Sequence, residues 1–343
     1  MTATEVQPSQ GDTRARPGPR ALPAAAALAV LVAALAVLPL VSSDSRLFTM
    51  TQMFMAITIA SSWNLTGGFT GYVDFGHVVF FGIGAYGTGI VMNKWHWPFL
   101  PALLLGAVAA AVFAVLVGSA TLRLRGPYFS IAMLGTYGAM REIVRVWKPV
   151  TGGGSGLSLP LVHNRPLFYY VTLVLLVVFL AAIWWMRRTQ YGASLVAIRE
   201  DEIGAEMRGI NTTVTKASIF TMAGFVTGIV GGLWAYQNTF ISPTIVFVEG
   251  TTIDAVMMSM LGGLGTVAGP VIGGALIFWL RDVVWARFLD YHLMVQGAVL
   301  ILVVLYFPEG IVGRLSRRRG AVSLAHLWRR RRPADASSPP DES

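Results

Sequence analysis

Apolar runs of bilayer-spanning length recur along this chain, and they limit its fold more than any other feature. The first is ALPAAAALAVLVAALAVLPLV, residues 21–41. Others follow at about 48–66, 73–92, 99–121, 127–147, 166–186, 215–238 and 290–307. A helix needs about 20 apolar residues to cross a bilayer core. Inside that core every backbone polar group must be satisfied within the fold. The fold class expected is therefore all-α: a polytopic integral membrane protein with about eight transmembrane helices. Of the 343 residues 55% are hydrophobic and 13% charged, about half the charged share of a soluble domain. The run at 21–41 is long for a cleaved signal and shows no small-residue cleavage site, so it reads as a retained span.

One apolar region, 252–281, is interrupted by GGLGTVAGP. Pro270 removes a helix donor, and Gly262, Gly263, Gly265 and Gly269 weaken the helix around it. The expectation is a broken, re-entrant segment or a tight helical hairpin. Charge decides the number of crossings. With the N-terminus inside, the inner segments are 1–20, 122–126, 187–216 and 313–343, and they hold 18 of the 26 Lys and Arg. That is the asymmetry of the positive-inside rule. It requires an even number of crossings from 252–281 and places both termini in the cytoplasm. The polar stretch 1–20 should be a disordered tail, 21–312 the membrane domain, and 313–343 a basic cytoplasmic tail beside membrane lipid.

The longest inner loop, 187–214, contains REDEIGAEMRG, residues 199–209. Leu195, Ile198, Ile203, Met207 and Ile210 recur at spacings of three to five, the pattern of one short amphipathic helix. Glu200, Asp201, Glu202, Glu206 and Arg199 decorate its other face, and Gly209 suits a C-cap. Interfacial helices prefer basic polar faces. This one is acidic, which favours docking in a partner's groove.

The stretch YGASLVAIREDEIGAEMRGIN resembles the cytoplasmic loop of ABC-importer permeases, whose pattern is Glu-Ala-Ala, three residues, then Gly. Here it is Ile203, Gly204, Ala205, three residues and Gly209, with the acids displaced upstream. FGHVVFFGIGAY (75–86), RLRGPYFSIAMLG (123–135), TGGGSGL (151–157) and MLGGLGTVAGPVIGG (260–274) each resemble segments of one family, the branched-chain amino-acid ABC transporter permeases of the LivM type. Asp74 departs from the small or hydroxylated residue of that pattern. The resemblance implies an inner-membrane subunit working with a second permease subunit, two cytoplasmic ATPase subunits and an extracytoplasmic substrate-binding protein. It implies that ATP and Mg sit on the partner ATPases, with no cofactor on this chain. Arg199, Glu200, Asp201, Glu202, Ile203, Ala205, Met207 and Gly209 would form the coupling helix. Ile203 and Met207 would fill the groove, and the charged residues would set register through ion pairs. The implied cargo is leucine, isoleucine and valine. A urea or short-amide permease of the same superfamily is the near alternative.

The pathway or packing candidates are Asp74, Gly76, His77, Phe81, Gly82, Gly84, Glu142, Gly262, Gly263, Gly265 and Pro270. Asp74 and His77 are three apart and could share a helix face. They would be the ion-coupling residues of a rival reading, a secondary carrier that needs no ATPase. Gly224, Gly228, Gly231 and Gly232 form a small-residue face for helix packing or a dimer interface. Glu142 can pair with Arg145 beside Arg141 near the outer end of a span. There is no cysteine, which excludes disulfides and thiol chemistry. No GxxxxGK[ST] P-loop is present, and the five histidines show no metal spacing. No catalytic constellation emerges, and arginines gathered in tails and loops give no nucleic-acid surface.

Overall fold

The computed structural model describes residues 21–40, 42–160 and 164–287, together with 294, 297, 298, 301, 302, 305 and 310–313. The tails expected at 1–20 and beyond 313, and most of the span expected at 290–307, lie outside the described residues. Two compact units divide the chain, residues 1–47 and 48–343. In the first, α1 (Ala21–Val37) runs into a 3-10 turn, Leu38–Leu40. Helix α2 (Asp44–Asn64) begins there and continues into the second unit, where a π-helical turn, Leu65–Phe69, extends it.

Next come α3 (Val78–Trp95), α4 (Phe99–Thr121), α5 (Pro127–Val146) and the short α6 (Lys148–Thr151). They are followed by α7 (Arg165–Arg187), α8 (Gln190–Glu200), α9 (Glu202–Met207) and α10 (Thr212–Asn238). The last are α11 (Pro243–Val246), α12 (Glu249–Gly262) and α13 (Gly269–Arg287). Among the described residues the only sheet is one antiparallel pair, β1 (Leu157–Ser158) with β2 (Phe240–Ile241).

Among the described residues, Phe99–Thr121, Arg165–Arg187, Thr212–Asn238 and Pro243–Gly262 are long and apolar enough to cross a membrane. Helix α4 shows why sequence hydropathy finds such helices. Leu100, Leu104, Val108, Val112 and Leu116 are exposed apolar residues, the surface a lipid-facing helix needs. Helix α2 is less apolar because it is enclosed: Thr58, Ser61, Ser62 and Asn64 are all buried. Protein neighbours accept such groups where lipid would not.

Helices α3, α4 and α10 form the tightest packing. A Cβ built on Gly84 would collide with the Gly228 carbonyl, and one on Gly231 with the Phe81 carbonyl. On the other side of α10, a Cβ on Gly224 would lie 2.8 Å from Ala114 Cβ, and one on Gly228 2.6 Å from Ala110 Cβ. The small-residue face of α10 is therefore spent inside the chain, against α3 and α4.

Helices α12 and α13 are antiparallel and equally close: a Cβ on Gly262 or Gly273 would meet the carbonyl of Gly269 or Met258. The break expected within 252–281 is present: the segment is two helices, α12 and α13, folded back on each other about the turn 263–268. Pro270 sits in the first turn of α13, where its missing N–H costs nothing. The turn is closed by Thr266, whose hydroxyl donates to Gly263 O at 2.8 Å and accepts from Gly269 N at 3.0 Å. Asn64 fastens that turn to the end of α2, accepting from Gly265 N at 2.9 Å and donating to Thr266 O at 2.9 Å.

Candidate functional site

The loop after α7 folds back onto the bundle instead of standing free. Gly192 lets α8 pass within contact of the end of α7, where a Cβ would lie 2.6 Å from Met186 O. Leu195 is fully buried in a cluster with Leu65, Phe69, Phe179, Ile183 and Ile219. Tyr191 holds α8 to α10 through Ser218 Oγ at 2.5 Å and Thr215 O at 3.2 Å. The helix then stops at Asp201, whose backbone is extended (φ −158°, ψ 106°). The Asp201 carboxylate caps α9, accepting from Ile203 N at 3.1 Å. Gly209 (φ 82°) ends the loop structure, its N–H donating to Glu206 O at 2.9 Å.

This corrects the expectation of one amphipathic helix. The five apolar residues belong to different environments: Leu195 and Ile198 are buried, whereas Ile203 and Met207 are 54% and 79% exposed. The short helix α9 thus presents an apolar patch, flanked by exposed Glu200, Asp201 and Glu206, while buried Ala205 faces inward.

Two of the charges expected on the outer face bond to the bundle instead, Arg199 while still exposed and Glu202 half-buried. Arg199 donates from Nη1 to Gly68 O at 2.7 Å, beside the hairpin turn at Gly265. Glu202 meets Lys216, an α10 residue only 4% exposed. The Lys216 ammonium donates to Glu202 Oε1 at 2.6 Å, Tyr72 Oη at 2.9 Å and Leu122 O at 3.1 Å. Tyr72 in turn donates to Glu202 Oε2 at 2.6 Å. Burial alone would raise the Glu202 carboxyl; the hydrogen bonds from Lys216 and Tyr72 and the Lys216 and Arg125 charges outweigh it, holding the group below the usual glutamate range.

Lys216 stands at the edge of the apolar run 215–238, where the sequence pattern alone makes it one more charge of the loop. A lysine inside an apolar helix demands a partner, and the acids 14 residues or fewer upstream were the available ones.

A second polar cluster is fully buried. The span expected from residue 73 becomes helical only at Val78, so Asp74, Gly76 and His77 precede α3 and Asp74 and His77 do not share a helix face. Asp74 and His77 are fully buried, with His77 Nδ1 3.1 Å from Asp74 Oδ2. His77 Nε2 lies 2.9 Å from Thr227 Oγ1, which donates to Ser62 Oγ at 2.9 Å, and Ser62 donates to Ala223 O at 2.8 Å. The series ends on a backbone carbonyl, which accepts a hydrogen but cannot pass a proton on. Gly76 lies against α5, and Gly82 and Phe81 pack against Phe247 and Trp234. Glu142 forms the expected i, i+3 pair, with Arg145 Nη2 2.6 Å from Glu142 Oε1, and both side chains are exposed.

The segments that build these sites match a known family. Residues 45–304 match the family described as branched-chain amino acid transport system / permease component. The chain belongs to that family. Among similar proteins is the high-affinity branched-chain amino acid transport system permease protein LivM of Salmonella typhimurium, 27% identical over 318 residues, covering 83% of this chain and 74% of the relative. LivH of Escherichia coli K12 is 26% identical, covering 79% of this chain and 98% of the relative. The autoinducer 2 import system permease protein LsrC of Yersinia pseudotuberculosis is 28% identical over 52% of this chain and 55% of its own length. No solved structure matches the chain. As a member of this permease family the chain is a multi-pass membrane subunit of an ABC importer, a transport component and not an enzyme. That membership sets aside the carrier that needs no ATPase.

Proposed function

We propose that this permease carries branched-chain, hydrophobic amino acids inward. A second permease subunit would complete the channel, an extracytoplasmic binding protein would deliver the cargo, and α9 would dock on a cytoplasmic ATPase. The observation that carries the docking is the contrast within one loop: α8 is anchored by buried Leu195 and Ile198, while α9 holds Ile203 and Met207 out to solvent. Exposed apolar side chains on a rigidly held helix suit a partner's groove. The cargo reading follows the printed names of LivM and LivH, which are similar over most of the chain. With α9 on the cytoplasmic side, the loop that begins at Leu122 and carries Arg123 and Arg125 shares that side, because Leu122 O accepts from Lys216 in the cluster that holds α9, in agreement with the positive-inside rule.

The test is affinity purification in mild detergent from native membranes, with mass spectrometry of what comes along. ATPase subunits are expected with the wild type and absent with Ile203→Asp, while the variant stays in the membrane. An Ile203→Asp chain that retains its ATPases and normal leucine uptake would refute the docking.

A further inference from the structure

The loop helices hold the bundle at two different places, and the break at Asp201 separates them. From α8, Arg199 reaches Gly68 and the turn of the α12–α13 hairpin. From α9, Glu202 reaches Lys216 and Tyr72. The second tie is the more closed. All three ammonium hydrogens of Lys216 have acceptors, both Glu202 oxygens are used, and the ammonium stands 4.6 Å over the Tyr72 ring. Besides Glu202 on α9, the cluster draws on three places: the acceptor Leu122 O caps α4, the acceptor Tyr72 lies in the segment leading to α3, and the donor Lys216 is in α10. These are the three helices that pack backbone to backbone through Gly84, Gly228 and Gly231.

We infer that Lys216, through Glu202 and Tyr72, is the positioning residue that makes α9 and the α3–α4–α10 block move as one body, so that ATPase motion reaches the transport helices together. The inference rests on α9 being the ATPase-docking element. Helix α9 has six residues, too short to impose a direction on the bundle by itself. Its fixed points are Ala205, buried at 2% exposure, the Thr212–Glu206 hydrogen bond of 2.7 Å, and the Lys216 cluster. Thr212 and Ala205 keep α9 beside the first turn of α10. Only the Lys216 cluster reaches α4 and the approach to α3.

The importer, purified with its ATPases and reconstituted in proteoliposomes with leucine and its binding protein, is assayed for ATPase content and for uptake per ATP hydrolysed. Lys216→Met keeps the apolar stem and removes the three hydrogen bonds. It is expected to keep its ATPases and hydrolyse ATP, with uptake per ATP reduced about tenfold or more. Glu202→Gln, a nearly isosteric change at a partly exposed site, should uncouple in the same direction. Lys216→Met combined with Glu202→Gln should do no worse than the stronger single change, because one tie cannot be cut twice. If Lys216→Met fails to reach the membrane, Glu202→Gln decides. Normal uptake per ATP in an ATPase-bearing Glu202→Gln importer overturns the inference. Wild type purified without ATPases defeats the docking reading instead, and is recognised because it precedes any substitution.

Discussion

The same substitution at two glycines should have opposite effects, and the difference measures how tightly α10 is seated. Gly228 lies in the middle of α10. A Cβ there would fall 2.6 Å from Ala110 Cβ and 3.2 Å from Ala107 Cα, against 3.4 Å where ordinary contact begins. The α4 backbone must retreat by about 0.8 Å, and α4 is itself held against α3 by Gly106, whose own Cβ would lie 2.7 Å from Gly84 O. Overpacking of this kind costs about 1–3 kcal/mol. Gly138 lies in the middle of α5 with no atom within 4 Å of the added Cβ. Both substitutions gain the same helix propensity, about 0.8–1 kcal/mol. That gain cancels between them and leaves the packing cost alone. Gly228→Ala should therefore be less stable than Gly138→Ala by about 1–3 kcal/mol. The assay is the thermal midpoint of the purified full chain in one detergent, with Gly138→Ala at or above wild type and Gly228→Ala below it. Equal midpoints for the two variants would refute the reasoning, since they would mean that α4 yields without cost.

Thr227→Val should leave His77 Nε2 without a partner in a fully buried site and lower stability by about 1–3 kcal/mol, read by the same thermal midpoint. Ser62→Ala, at the far end of that series, should cost less than Thr227→Val. The pH response of the loop follows from Glu202. Its folded-state carboxyl titrates below the ordinary glutamate value of 4.5, so the tie to Lys216 is complete above the unfolded value and is lost only as pH falls through the depressed folded one. Hydrogen exchange over residues 202–210, corrected for intrinsic rates, should show protection that persists to pH 4.5 and fails below it. Protection lost well above that value would contradict the closed Lys216 cluster.

The spans were legible because lipid imposes a length and a composition that hydropathy reads directly. Helices α4, α7 and α10 start and end within a few residues of the apolar runs at 99–121, 166–186 and 215–238. The hairpin was half legible: Gly262, Gly269 and Pro270 marked the break, but only the approach of Gly265 to Asn64 and Gly68 shows that its turn lies at the α8–α9 end of the bundle. The loop was misread in a specific way. A spacing of three to five among Leu195, Ile198, Ile203, Met207 and Ile210 is what one helix gives, and also what two short helices give when an aspartate caps the second. Charge was misread for a related reason. A sequence shows that Arg199 and Glu202 lie in a polar loop, but not that they meet the Gly68 carbonyl, the Tyr72 hydroxyl and a buried lysine. Exposed and inward charges look alike until their partners are placed, and here the partners are 130 residues away in sequence at Tyr72 and 131 at Gly68. Where an acid-rich loop follows an apolar helix, an isolated lysine at the start of the next apolar run is therefore the residue to pair first, since its burial is expensive and the nearest carboxylates are the ones that can offset it.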